Sequence, residues 1–324
     1  MSISSVDISA PGKVVIAGEY AVLIGAPAIA MAISRRAICS VQIADEGGWS
    51  IRSQPSFWNG EFSLTEIARS QPNDLIASAL QRIETSVVNL PSHAELSIDT
   101  RTLFHFGKKM GLGSSAASLV SLYVAVCTLR GVEHSLEGAL RLHDEVYESG
   151  SGIDIATSYT GGVVRFQDRE VQSISLPSGV KTRVLYVGTS TTTSDKVLLF
   201  KDWLSEQPKS TAERIKSASE TVASSVGQAA DFLDALRYFV EIQEFIDSGS
   251  RIGIWGPQHR AMKSLANQEG VLYKPSGAGG GDIGLAMSTD PEALDRLVES
   301  AEKMGLKEIE VQVEDAGFRV ESVE

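Results

Sequence analysis

Residues 107–130 read Gly-Lys-Lys-Met-Gly-Leu-Gly-Ser-Ser-Ala-Ala-Ser-Leu-Val-Ser-Leu-Tyr-Val-Ala-Val-Cys-Thr-Leu-Arg, and no other stretch restricts the fold as much. Gly111 and Gly113 allow a tight backbone path, after which Ser114 or Ser115 is placed to cap a helix that runs through Leu129 and stops at Gly131. Leu119, Val120, Leu122, Val124, Val126 and Leu129 cover most of that helix, which must therefore be buried. Burial does not account for the entrance. Two glycines, two serines and the pair Lys108 and Lys109 contribute little to a core. The first turn of a helix, however, leaves N–H groups unpaired and carries roughly half a positive charge. A glycine-rich approach to it makes a site for an anion, with phosphate the obvious guest. No Gly-x-x-x-x-Gly-Lys-Ser/Thr occurs, so this is not a Walker loop. Residues 111–116 and 279–284 both fit the dinucleotide pattern Gly-x-Gly-x-x-Gly/Ala, but after the first a helix stands where the second strand ending in an acid is needed, and Gly284 opens a strand instead of a helix.

At 324 residues, 43% hydrophobic and 22% charged, the chain is long enough for two domains with proper cores. Its 29 basic and 41 acidic residues leave a net charge of −12, which disfavours nonspecific attraction to nucleic acid or an anionic membrane. An anionic substrate must then meet local cations. Cys39 and Cys127 lie in apolar runs without disulfide or zinc spacing, and the five histidines form no paired ligand spacing. No signal peptide or spanning segment is evident, and the expected setting is cytoplasmic.

Along the chain, Val6 to Ala10 and Val14 onward read as strands around Pro11-Gly12-Lys13. Alone, Lys13 reads as a lysine that snorkels from a turn; with an anion site in the same domain, it reads as one reaching towards phosphate. Ala28 to Ile33 and Ala37 to Ile43 read as further strands, and residues 64–90 suit helices. The helix after Ser135 stops before Ser149-Gly-Ser-Gly152-Ile153-Asp154, where Asp154 is either a helix cap or a catalytic group. Leu176-Pro-Ser-Gly179 is the best domain boundary, dividing the chain into 1–178 and 179–324. Helices follow at 211–226, 228–247 and 257–269, with one more after the cap Asp290, and Glu308 to Val313 and Phe318 to Val323 close the chain as strands. Between them, residues 274–282 carry a run of glycine and alanine from Gly277 to Gly281. Its position between a helix and a strand favours an ordered, backbone-lined loop over a linker.

Three stretches together resemble the three signature motifs of the GHMP kinase family, in the family's order and over nearly the whole chain. They are Ala10-Pro-Gly-Lys13 with Gly18-Glu-Tyr20, Lys109-Met-Gly-Leu-Gly-Ser-Ser-Ala-Ala117, and Lys274-Pro-Ser-Gly-Ala-Gly-Gly-Gly-Asp282. The resemblance implies an α+β fold in two domains, an N-terminal ribosomal protein S5 domain 2-like domain and a C-terminal ferredoxin-like domain. It implies transfer of the γ-phosphoryl group of ATP, with Mg²⁺, to a small-molecule acceptor. By position, Lys109, Gly111, Leu112, Gly113, Ser114, Ser115 and Ala116 would hold ATP, Ser115 would reach magnesium, and Lys13 and Asp154 would be catalytic. Glu19, Tyr20, Ser151, Gly152, Ser276, Gly277, Ala278, Gly279, Gly280 and Asp282 would line the substrate. The expected partners are the small molecule and at most a second copy of the chain, neither nucleic acid nor membrane.

An alcohol-phosphorylating branch of the family carries Gly-Glu-His where this chain has Gly18-Glu-Tyr20, and an acidic metal ligand at a position falling at about His143. These departures weaken the alcohol reading while Gly25-Ala-Pro-Ala-Ile-Ala30 resembles that branch, so the expected acceptor already bears a phosphate and an alcohol is the alternative. A noncatalytic binding member of the family would have no use for both Lys13 and Asp154, and the related decarboxylases lack a lysine of the Lys13 type.

Overall fold

The computed structural model describes residues 3–55, 59–69, 75–105, 107–147, 150–188 and 193–324. Part of the helical stretch expected at 64–90 (residues 70–74) and Ser149 of the Asp154 motif lie outside them.

The first sheet runs in the order Arg319–Val323, Ser5–Ala17, Ala28–Ile43, Ala94–Asp99, Trp49–Gln54, Gly60–Phe62. Val163–Gln167 pairs with the early half of Ala28–Ile43 and with Glu170–Ile174. Where the sequence suggests two short strands on either side of Pro11-Gly12-Lys13, a single 13-residue strand runs through, with register shifts at Pro11/Gly12 and Val15/Ala17. Ala28–Ile43 is likewise one strand. Arg36, in its middle, is folded back, its guanidinium bonding Ser9 Oγ at 2.8 Å and the Gly317 carbonyl at 2.6 Å.

Helix Ser114–Leu129 lies on this sheet, surrounded by Leu75–Ser86, Leu136–Val146 and Ile153–Thr160. Apolar residues all round it meet protein on every side, so only its ends are available for chemistry.

The second sheet has the antiparallel order Leu272–Pro275, Ile283–Ser288, Lys181–Tyr186, Lys307–Glu308. Four helices, Thr193–Ser205, Lys209–Ser224, Ala229–Ser250 and Pro257–Gln268, fill the connection from its first strand in sequence to its second. Pro291–Lys303, capped by the Asp290 carboxylate through Glu292 N–H at 3.0 Å, connects the third to the fourth. This is the β-α-β-β-α-β path of the ferredoxin-like motif, and the two sheets with their helices make an α+β fold in two parts, as the resemblance implies. The helix Thr193–Ser205 had no counterpart in the sequence pattern.

The second part of the chain does not keep its C-terminus. Arg319–Val323 pairs antiparallel with Ser5–Ala17 as an edge of the first sheet, and an isolated bridge joins Val313 to Ile33. Residues 309–313, expected as strand, are mostly irregular where they cross back.

Candidate active site

Gly12 allows the first strand to touch the loop before helix Ser114–Leu129. A Cβ on Gly12 would lie 2.5 Å from the Leu112 carbonyl oxygen, and the neighbouring Lys13 N–H donates to that oxygen at 2.8 Å. The Lys13 side chain then passes over Gly113, where a Cβ would fall 2.9 Å from Lys13 Cγ. At its tip, Nζ lies 3.3 Å from Asp154 Oδ2, with the lysine 8% exposed and the aspartate 42%. The lysine carries its charge into a buried position, and its partner remains largely solvated.

Neither serine caps the helix, contrary to expectation. Gly113 is the N-cap, at φ +81°, and no side-chain cap bond forms. Ser114 and Ser115 stand inside the first turn, where the helix N–H groups lack intrahelical acceptors. Ser115 Oγ accepts from Lys109 Nζ at 3.3 Å. Asp154 is not a cap either. Gly152 takes that position, Ser151 Oγ accepts from Ile153 N–H at 3.3 Å, and Asp154 in the first turn is turned to Lys13.

The loop 276–282 is fastened from behind. Lys274, fully buried, pairs with Glu19 and donates to the Pro275 carbonyl at 2.7 Å; burial lowers its ammonium pKa, and the Glu19 carboxylate opposes this. Glu19 also accepts from Gly277 N–H at 3.3 Å. Ser276 Oγ both donates to the Val15 carbonyl at 2.8 Å and accepts from Val15 N–H at 3.0 Å, filling the first strand's bulge. The Tyr20 hydroxyl donates to the Ala278 carbonyl at 2.7 Å. Glu19, Tyr20 and Ser276 thus lie beneath the loop.

Three groups were not singled out from the sequence. Lys196, 8% exposed, donates to the carbonyls of Gly279 at 2.7 Å and Gly253 at 3.2 Å. Burial lowers its pKa, opposed by Asp247 and Asp282. His259, fully buried, bonds Tyr273 OH through Nδ1 at 2.9 Å and the Gly281 carbonyl through Nε2 at 3.1 Å, and burial pushes its pKa down to about 4. Tyr147 is a third: burial raises the pKa of its phenol, with Ser115 and Asp154 close enough to act on it. A lysine in an ordinary amphipathic run, a lone histidine and a helix-end tyrosine carry no sequence signal that separates them from surface or core residues.

Residues 74–162 match the family of GHMP kinases N terminal domain. The phosphomevalonate kinase of Streptomyces sp. (strain CL190) is 28% identical, covering 88% of this chain and 90% of its own. The mevalonate kinase of Thermococcus onnurineus is 25% identical, covering 97% and 98%. The solved structure of Streptococcus pneumoniae phosphomevalonate kinase in complex with phosphomevalonate and AMPPNP superposes with a TM-score of 0.79 at 20% identity, covering 95% of this chain and 99% of that one. Residues 74–162 thus form a GHMP kinases N terminal domain, and the chain, similar over most of its length to phosphomevalonate and mevalonate kinases, is a phosphotransferase. Among the described residues no helix is long and apolar enough to cross a membrane.

Proposed function

We propose that the chain is an ATP-dependent kinase that transfers the γ-phosphoryl group to (R)-5-phosphomevalonate, giving 5-diphosphomevalonate. The observation that carries the reading is Lys13, held over Gly113 with its ammonium 3.3 Å from Asp154, at the N-terminus of a buried helix. The backbone from Gly111 to Ala116 receives the ATP phosphates, and Lys109 approaches from the short hairpin in which Lys108–Lys109 pairs with Phe104–His105. Lys13 faces the oxygens on which charge spreads in a loose phosphoryl-transfer transition state, so catalysis is positioning and field. Ser151, Gly152 and the loop 276–280 line the acceptor, while Glu19, Tyr20 and Ser276 hold that loop.

Magnesium fits this donor set. Among the described residues no group of three or more His, Cys, Asp or Glu side chains could hold a metal, and Mg²⁺ favours few protein ligands with phosphates and water. The Ser115 hydroxyl supplies one, and the ion when bound neutralises phosphate charge.

Two features favour a phosphorylated acceptor. Relatives similar over most of their length include phosphomevalonate kinases, the Streptomyces protein and one from Saccharolobus solfataricus at 26% identity, beside mevalonate kinases. In addition, helix Leu136–Val146 has His143 at the place where the alcohol kinases carry an acid, and the adjacent Asp144 is paired with Arg169 at 2.6 Å. A phosphate monoester is largely ionised at neutral pH, with a second pKa of about 6, so its attacking oxygen needs no general base and Lys13 offsets anion repulsion. ATP turnover against mevalonate, its 5-phosphate, its 5-diphosphate and sugar or amino-acid alcohols tests the reading. Activity confined to mevalonate or to another alcohol overturns it in favour of the alcohol-kinase reading.

A further inference from the structure

Asp282 ends the second loop at φ +57°, a left-handed conformation that Asp and Asn accept more readily than other side-chain-bearing residues. This backbone turn lays the side chain on the first loop: a Cβ on Gly111 would fall 2.5 Å from Asp282 Cβ and 3.1 Å from Oδ2. Oδ1 is sealed from solvent and accepts no hydrogen bond. Lys13 from the first strand, Lys196 from helix Thr193–Ser205 and Lys109 from the hairpin all act on this carboxyl. The phenol of Tyr186, at the end of Lys181–Tyr186, also senses it, and its own buried hydroxyl has no partner. Behind Asp282, His259 holds the Gly281 carbonyl; beyond Lys13 stands Asp154.

A carboxylate resting on the backbone of a phosphate-binding loop sets up a like-charge conflict. Three lysines offset it while no phosphate is present. A bound phosphate draws on the same lysines and places a second anion beside the carboxylate. Protonation removes the repulsion and turns the carboxyl from an acceptor into a donor, with Oδ2 the oxygen that lies against Gly111. Resting on the phosphate-loop reading above, we propose that Asp282 is part of the phosphate-binding surface and takes up one proton from solvent when a phosphate-bearing ligand enters, bonding it as a neutral acid.

Burial already raises this carboxyl to about 6, against the pull of Lys13, Lys196 and Lys109. It is therefore largely ionised at pH 7 to 8 without ligand, and an adjacent phosphate raises it further. Between the two values, binding consumes a proton and affinity rises as pH falls.

The test is calorimetric binding of ADP in EDTA to the full chain and to Asp282→Asn, from pH 6 to 8.5, in buffers of different ionisation enthalpy. Asparagine mimics the neutral acid and suits the same φ. The difference between the two proteins cancels the titration of ADP itself. The wild type is expected to take up more protons than the variant, and its affinity to fall by up to about tenfold per pH unit relative to the variant above pH 6. The variant binds ADP at least as tightly at pH 8. Equal proton uptake, or weaker binding by the variant at every pH, overturns this inference and leaves the loop reading intact. A wild type that binds no ADP overturns the loop reading and the inference with it. Should Asp282→Asn not fold, Asp282→Gly accepts the same φ and gives the same comparison.

Discussion

The backbone from Gly111 to Ser115 and the run from Gly277 to Gly281 face one another through Asp282, yet they lead into different structure. The first opens a buried 16-residue helix; the second opens the strand Ile283–Ser288. Helix geometry leaves the first loop's following N–H groups without intrahelical acceptors. In the second, Gly277 N–H goes to Glu19 and Gly280 N–H to the Ile254 carbonyl at 2.7 Å, while Tyr20, Lys196 and His259 engage the carbonyls of 278, 279 and 281. Glycine serves close approach in both, but to different visitors. At Gly280 a Cβ would lie 2.2 Å from Lys196 Nζ, whose ammonium donates to the Gly279 carbonyl. On the proposed reading, similar composition yields an anion seat in one loop and a braced wall in the other.

If that contrast is right, damage to the first loop's cation shows in turnover and damage to the second's shows in stability. Lys13→Met should lower kcat by about 10³-fold or more, ~4 kcal/mol of transition-state stabilisation, with little change in the unfolding midpoint because its partner Asp154 is largely solvated. Steady-state kinetics beside thermal melts check both halves. Normal turnover would make Lys13 a snorkelling lysine and leave the first loop without its cation.

Lys274→Met should do the reverse. It strands the buried Glu19 carboxylate, whose Oε2 already lacks a hydrogen-bond partner, and removing one member of a buried pair costs about 3–5 kcal/mol. Adding Glu19→Gln should recover most of the loss in urea unfolding. A fully stable Lys274→Met protein with impaired phosphate binding would erase the distinction between the loops.

His259 sharpens the same contrast through pH. Its folded pKa of about 4 lies below the ordinary 6.5, because burial disfavours the charged ring. Between these values the unfolded chain holds more protons, so stability is complete above pH 6.5 and declines as pH falls towards 4, by up to about 3 kcal/mol. Denaturant unfolding at pH 7.5 and 4.5 should show a smaller difference in His259→Gln, which cannot titrate.

The sequence carried the helix behind Gly113 and the order of the motifs because those depend on local backbone and periodicity. It singled out Lys13 and Asp154, and the contact that brings them together depends on a 13-residue strand and a second helix start lying side by side. The serine caps were misread because glycine at φ +81° ends the loop without a side chain. Lys274 stands in the third motif with no local sign of its partner; only tertiary packing shows that its charge is spent on Glu19, 255 residues away. The return of Arg319–Val323 to the first strand is nonlocal in the same way, since an edge strand looks alike whichever sheet it joins.

The smallest expected effect concerns Asp154. Its Oδ2 stands 3.3 Å from Lys13 Nζ, and its side chain is 42% exposed, so solvent holds much of its charge already. With a phosphorylated acceptor, no proton has to leave the attacking oxygen at neutral pH, and Asp154 serves to orient the lysine. Asp154→Asn keeps the shape and loses the charge, which should lower kcat about tenfold, or ~1.4 kcal/mol, with no new limb in the pH profile. With an alcohol acceptor, the same carboxylate would be the base, and its loss should cost about 10²–10⁴-fold. Measuring kcat from pH 6 to 9 for both acceptors separates the cases. A collapse of activity on the phosphorylated acceptor would turn Asp154 from an orienting group into an obligatory one and shift the chemistry of the first loop towards the alcohol kinases.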